Sequence, residues 1–226
     1  MNTKNLFYTT LTISVIIQLL TGGLEIFTLF ESVPTSFILI KQLLLLEVIV
    51  QIIEGMFYLW LVFNLNSVTN ITPKRYIDWV ITTPTMLVTL IFYLIYLNNK
   101  DNIANINLSF FDLLINNSNT ISIVLLLNWL MLIFGYLGET KIIPTLTGVL
   151  LGFIPFIIYY LIIYINYVKT ELGFNMFTYF VFFWSLYGIV ALLPYYLKNA
   201  LYNILDIFAK NFFGVFLSYI ILTKNY

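Results

Sequence analysis

The sequence predicts an all-α membrane protein, a bundle of seven transmembrane helices forming one domain over residues 1–226. Three observations predict it. Hydrophobic residues make up 61% of the chain and charged residues only 9%, against ~25% charged in a soluble domain. The mean hydropathy is +0.97, and a soluble fold of 226 residues has no interior large enough to hide that much apolar surface. The apolar residues fall into seven runs, most close to the ~20 residues a helix needs to cross the hydrocarbon. Only helices and closed barrels satisfy their backbone in lipid. Barrel strands are ~10 residues of alternating polarity, and these runs are longer and uniformly apolar.

The runs follow one another with short polar breaks. The first, 6–30, has Lys4 before it like a leader peptide, but it lacks a small-residue cleavage site and carries recurrent polar residues, so it is read as the first span. The second, 37–63, ends at the polar stretch 64–75, and the third, 76–97, at the polar stretch 98–107. The segment LSFFDLLI (108–115) is apolar and too short to span. It is expected to form a short helix lying in the interface, or an early start of the fourth span, 120–137. The fifth, sixth and seventh runs are 142–167, 174–197 and 202–222, with KNAL (198–201) expected as the last connection. No internal repeat is evident, which disfavours a transporter built from inverted repeats. Lysines balance on the two sides, so the positive-inside rule gives no orientation.

The chain contains no His and no Cys. Imidazole bases, thiolate nucleophiles, disulfides and the usual soft metal sites are therefore excluded, and no enzymatic activity or metal is expected. Zero net charge gives no basic face for nucleic acid. The expected partners are the lipid bilayer and monovalent cations or protons, and self-association is left open.

Function must then run on the few charges inside the spans. A charge at a helix centre costs ~2.5–3.5 kcal/mol on insertion scales, so several are tolerated only if they face one another or a wet cavity. Lys41 and Glu25, near span ends, are expected to snorkel. The polar residues of four spans fall in stripes at helical spacing. Ser14, Gln18, Thr21 and Glu25 share a face of the first span. Glu47, Gln51 and Glu54 share one on the second, Arg75, Asp78, Thr82, Thr85 and Thr89 on the third, and Asn203, Asp206 and Lys210 on the seventh. Interhelical hydrogen bonding, worth ~0.6 kcal/mol per contact, accounts for the hydroxyls and amides. It accounts poorly for the four carboxylates well inside the spans, Glu47, Glu54, Asp78 and Asp206, and a hydrated path through the bundle accounts for all of them.

Three segments carry a resemblance. The third span reads Arg75-Tyr76-Ile77-Asp78-Trp79-Val80-Ile81-Thr82-Thr83-Pro84, the sixth Trp184-Ser185-Leu186-Tyr187, and the seventh Asp206-Ile207-Phe208-Ala209-Lys210. These resemble the microbial (type I) rhodopsin motifs RY-x-DW-x-x-TTP, W-S-x-Y and D-x-x-x-K, in the family's order and on the family's helices. The resemblance implies a retinal cofactor joined to Lys210 as a covalent Schiff base. It implies counter-ions at Asp78 and Asp206, with Asp78 the proton acceptor, Thr82 beside it and Arg75 balancing the negative charge. Trp79 and Trp184 would sandwich the polyene, with Thr83, Met86 and Tyr187 along it and Gly135 beside the ring. Two positions depart from the pump pattern: Gly188 stands where proline is usual, and Ala191 where a second tryptophan is usual. Both bear on packing at the ring end and on the bend of the sixth span.

A proton pump of this family would need a donor eleven residues after Asp78, where Thr89 stands, and no carboxylate occurs in KNAL for proton release. Glu47 and Glu54, with Asn203 and the first-span stripe, are similar to the pattern of algal channel rhodopsins and closer still to viral channel rhodopsins of giant algal viruses. Carboxylate-lined pores favour cations. The resemblance therefore implies a light-gated cation channel, its path lined by Ser14, Gln18, Glu47, Gln51, Glu54 and Asn203 between the first, second, third and seventh spans. Arg75, Glu54 and Asn203 would form one constriction, and Glu47 with Ser14, Gln18 or Thr21 others. The alternative is an outward proton pump with Asp78 as acceptor and Glu47 as donor. A light sensor acting through a separate partner is a third class, since only five residues follow Ile221. The resemblance places the N-terminus outside and the C-terminus in the cytoplasm.

Overall fold

In the computed structural model, residues 2–64, 70–100 and 108–226 are described, and all their regular structure is helical. The middles of two expected connections, 65–69 and 101–107, lie outside the described residues. The helices are α1 (Thr3–Thr28), α2 (Ile38–Asn64), α3 (Thr72–Asn99), α4 (Phe110–Asn116), α5 (Ser118–Glu139), α6 (Thr145–Tyr167), α7 (Glu171–Val190), α8 (Tyr195–Asp206) and α9 (Phe212–Thr223). A π-helical segment, Ile207–Asn211, joins α8 to α9. Seven spans are long and apolar enough to cross a membrane: α1, α2 with the short turn before it, α3, α5, α6, α7 and the combined α8–α9.

Local chemistry fixes the helix ends. Asn2 caps α1 by accepting from the Lys4 amide (3.1 Å). Ser109 accepts from the Asp112 amide at the start of α4, and Thr170 accepts from the Gly173 amide at the start of α7 (3.0 Å). Each satisfies an amide that the first turn leaves without an intrahelical partner. Pro34, Pro144 and Pro194 lead into helices, where their missing N–H is harmless. The short helix expected at 108–115 forms as α4, parted from α5 by Asn117 alone.

One boundary differs from expectation. The sixth span ends at Val190 rather than at 197, and α8 begins at Tyr195, so KNAL lies inside the seventh span. Hydropathy carries the apolar run through Ala191–Leu193, but Pro194 cannot continue a helix and starts the next one. Lys198, assigned to a connection, is thereby a buried residue of the bundle. Its Nζ pairs with Glu139 of α5 at 2.7 Å.

Packing follows the residues that allow close approach. α5 and α6 meet where Gly138 faces Gly148. A Cβ at Gly148 would stand 2.7 Å from the Phe134 carbonyl and 2.9 Å from the Gly138 Cα, so small residues let these backbones touch, as is common in lipid. Helix α3 is the most deeply enclosed span, and its Leu87, Leu90, Ile91 and Leu94 lie in the main apolar cluster. Pro84 inside α3 leaves the Val80 carbonyl without its intrahelical donor. The Trp129 indole of α5 supplies one at 2.9 Å, which ties α5 to the kink.

The retinal pocket and its charged surround

The π-helical turn at Ile207–Asn211 carries Lys210. Such turns add a residue to the ladder and recur at functional sites. The Phe208 carbonyl in this turn accepts from the Tyr179 hydroxyl of α7 (2.7 Å). Lys210 is 3% exposed and lines a cavity between α3, α5, α6, α7 and the seventh span. The cavity walls are mostly apolar and aromatic: Trp79, Thr83, Met131, Gly135, Phe153, Phe156, Trp184, Tyr187 and Tyr202 contribute.

A group that is long, apolar and ends in an aldehyde fits this chamber. Two wall positions are glycines against which neighbouring rings pack closely. A Cβ at Gly135 would fall 2.7 Å from the Tyr76 hydroxyl, and one at Gly188 would fall 2.8 Å from the Phe153 ring. Gly188 and Ala191 both line the cavity, so Phe153 of α6 supplies bulk near the positions where the family pattern has proline and tryptophan. Trp79 packs edge-on to Tyr187, centroids 5.5 Å apart, and Trp184 stacks on Phe180. The Thr83 hydroxyl donates to the Trp79 carbonyl (2.8 Å) and accepts from Asn128 of α5 (2.8 Å). Met86, expected along the chromophore, is instead fully buried in the main apolar cluster and is absent from the lining. It lies two residues past the kink-forming Pro84, on a face of α3 turned into the core.

Around the ammonium of Lys210 three carboxyls converge. Nζ hydrogen-bonds Asp78 Oδ2, lies 3.8 Å from Asp206 Oδ1 and 3.9 Å from Glu54 Oε1. Asp206 is held by three donors: Tyr58 (2.7 Å), Tyr187 (2.8 Å) and Arg75 Nη1 (3.0 Å). Arg75 is fully buried. Its Nε donates to Asn199 (3.2 Å), its Nη2 to Asn203, and the rings of Phe57, Tyr58 and Tyr202 lie 5.5–5.8 Å from its guanidinium carbon. Thr82 donates to the backbone carbonyl of Asp78 (3.0 Å). Glu54, expected beside Arg75 and Asn203, is drawn to the Lys210 ammonium, and neither of its oxygens has a hydrogen-bond partner among the described residues.

The stripes expected on the first, second and seventh spans meet one another. Ser14 donates to the Asn203 carbonyl (3.2 Å), and Asn203 donates to Thr10 (3.2 Å). Gln18 donates to Gln51 (3.2 Å), and Gln51 donates to Glu25 (3.1 Å). Asn211, next to Lys210, donates to Thr21 (2.7 Å). Glu25, expected to snorkel, is wholly buried. A carboxyl within a turn of the helix end looks like a rim residue from spacing alone, but α9 presents Gly214 there and leaves room for it. Glu47 is 1% exposed with both oxygens unpartnered. Thr89 lies beside it but bonds the Thr85 carbonyl.

Sequence reasoning missed Tyr58, Asn199, Asn211 and Asn128. The first two were within reach of pattern: Tyr58 continues the Glu47–Gln51–Glu54 stripe by four residues, and Asn199 precedes Asn203 by four. Asn211 directly follows Lys210, outside the Asn203–Asp206–Lys210 stripe, and lies in the π-helical turn. Asn128 is the one amide in the apolar span 120–137, with no stripe to mark it.

A bundle of seven spans with a lysine-ended apolar chamber between them is the architecture of a retinal protein, and the comparisons agree. The family model described as bacteriorhodopsin-like protein matches residues 6–224, and the chain belongs to this family of microbial rhodopsins. Members of the family bind retinal through a Schiff base on a lysine, and the chain is an integral multi-pass membrane protein. Its fold is similar to the crystal structure of the viral rhodopsin OLPVRII, with TM-score 0.83, 24% identity and coverage of 98% of this chain and 99% of that one. Blue light-absorbing proteorhodopsin from Med12 gives TM-score 0.72, 19% identity and coverage of 97% and 98%. Bromide-bound halorhodopsin from Halobacterium salinarum gives 0.73, 14%, and 99% and 96%. No curated protein matches the chain in sequence.

Proposed function

We propose that the chain is a light-gated cation channel with its chromophore on Lys210, oriented with the N-terminus outside. Two lysines are buried, Lys198 and Lys210. Lys198 is engaged by Glu139 and is not part of the cavity lining, whereas Lys210 is. Trp79, Trp184, Tyr187, Thr83 and Gly135 would hold the group. Retinal bound there supplies absorption of light and a change of shape beside the Lys210 nitrogen.

The rest is the work of the side chains. Asp78 accepts the proton from Lys210 Nζ, being the carboxylate bonded to it and the one without further fixed donors. Asp206 stays an anion under its three donors. Transfer to Asp78 cancels the ion pair that joins α3 to the seventh span, and water can enter between them. Asp78, Asp206 and Glu54 are three carboxyls against two cations, Lys210 and Arg75. An unpaired charge is costly in a buried site, so the cluster is balanced by one further proton or cation.

The observation that carries the channel is the polar seam between α1, α2 and the seventh span. It runs from Thr10, Ser14 and Asn203 past Lys210 to Asn211, Thr21, Gln18, Gln51 and Glu25. Polar side chains in such a row replace part of a cation's hydration shell. One observation favours an outward proton pump with Asp78 as acceptor. Glu47 is buried with no partner, as suits a carboxyl that stores a proton for the nitrogen.

Photocurrent against voltage in cells expressing the full chain separates the two. A channel current reverses near a cation equilibrium potential, and a pump current keeps one sign. Lys210→Ala is expected to give colourless protein with no photocurrent. A coloured Lys210→Ala protein would move the attachment site elsewhere. Glu54→Gln is expected to alter conductance or selectivity, and an unchanged current would remove Glu54 from the path.

A further inference from the structure

Between Lys210 and the C-terminal end of the bundle, the seam contains a carboxyl that was expected to reach the headgroups. Glu25 is 0% exposed, although it stands in the last turn of α1. Its Oε1 accepts from Gln51 of α2 (3.1 Å), and its Oε2 has no partner. Against it, α9 offers no side chain: a Cβ built at Gly214 would overlap the carboxyl. Along the same seam, other groups are buried without partners among the described residues. Gln18 Oε1 is unpartnered on a side chain 6% exposed. Ser218 Oγ, one turn beyond Gly214 on α9, is unpartnered at 0% exposure. Glu47 lies close enough to act on Glu25 electrostatically. Acceptors left bare in a lipid-surrounded bundle are expensive unless a proton, water or cation joins them.

The row of hydroxyls and amides also continues past Glu25 on both walls. On α1 it runs Gln18, Thr21, Glu25, Thr28, and on the seventh span Asn211, Gly214, Ser218, each at helical spacing. Thr28 and Ser218 are both fully buried.

We infer that Glu25 is the selectivity carboxyl of an inner constriction for monovalent cations. In the closed state it is clamped by Gln51 between α1 and α2 and seated against Gly214. This rests on the channel function proposed above. When the seam hydrates, the Gln51 clamp releases, and the Glu25 carboxyl receives the ion. Gly214 is a positioning residue, since its missing side chain is the space the carboxyl occupies.

The test compares full-length wild type, Glu25→Gln, Glu25→Asp and Gly214→Ala, each scored first for colour after retinal is added. None of these positions lines the chromophore cavity, so colour should match wild type. Reversal potentials are then read with NaCl diluted on one side. Glu25→Gln keeps the bond with Gln51 but loses the charge, so it should lose most of the current and show a smaller dilution shift. Glu25→Asp should restore much of both, and Gly214→Ala should resemble Glu25→Gln because it displaces the carboxyl. Wild-type current and dilution shift in coloured Glu25→Gln would overturn the inference while leaving the channel intact. A wild-type current that never reverses would overturn channel and inference together. Should Glu25→Gln fail to form pigment, Gly214→Ala decides: a wild-type reversal shift there overturns the assignment.

Discussion

The two halves of the polar seam, on either side of Lys210, are built on opposite plans. Toward Arg75 the two central charges, Asp206 and Arg75, have several partners each. Asp206 accepts three hydrogen bonds, and Arg75 donates to Asn199, Asn203 and Asp206 while three rings surround it. Toward the C-terminal end the carboxyls are under-partnered: Glu25 has one bond from a neutral amide, and Glu47 has none. The first half is a fixed lattice that holds the field around the chromophore nitrogen. The second is poised to exchange weak partners for water or an ion. A gate placed in the weakly bonded half can open without dismantling the counter-ions.

The largest stability effect is expected on the lattice side. Arg75→Gln leaves buried carboxylates uncompensated, and breaking a buried pair from one side costs about 3–5 kcal/mol. Thermal bleaching of the pigment in detergent should move to clearly lower temperature, with an altered absorption maximum. An unshifted bleaching curve would mean that Arg75 does not hold the lattice. Tyr58→Phe is next. It takes one of three donors from Asp206, and an acceptor losing a buried bond costs about 1–3 kcal/mol. Bleaching should again be earlier, by less than for Arg75→Gln, with colour largely kept. An effect as large as that of Arg75→Gln would show that Tyr58, rather than the guanidinium, anchors Asp206.

The lattice half was legible in the sequence because its residues are strongly patterned. Asp78, Asp206 and Lys210 are charges inside apolar runs and Arg75 stands at the edge of one, and their spacing alone puts each pair on one helix face. Glu25 was illegible for a physical reason. Whether an acid near a helix end reaches headgroups or turns inward depends on the neighbour across the interface, and here that neighbour is a glycine on a helix 189 residues further along the chain. Glu54 was placed on the correct face, but its approach to Lys210 at 3.9 Å was not foreseen, because periodicity gives direction around a helix and not depth against another helix. Pro194 was visible in the sequence, yet hydropathy averaged across it and displaced the last connection.

The smallest stability effect belongs to Glu47. Its oxygens make no hydrogen bond that Glu47→Gln would break, and the amide has nearly the same volume as the acid. Losing no buried partner, the variant should bleach within about 1 kcal/mol of wild type. Its photocurrent separates the two functional accounts where stability cannot. If Glu47 stores the proton that returns to the Lys210 nitrogen, replacing it with an amide slows the recovery of the dark pigment after a flash, and adding acid to the bath speeds it again. If Glu47 serves only to line a cation path, recovery keeps its wild-type rate while the dilution shift of the reversal potential shrinks. Slow, acid-dependent recovery with an unchanged reversal potential would turn the under-partnered half from an ion path into a proton relay, and the contrast between the two halves would then mark donor and acceptor sides of a pump.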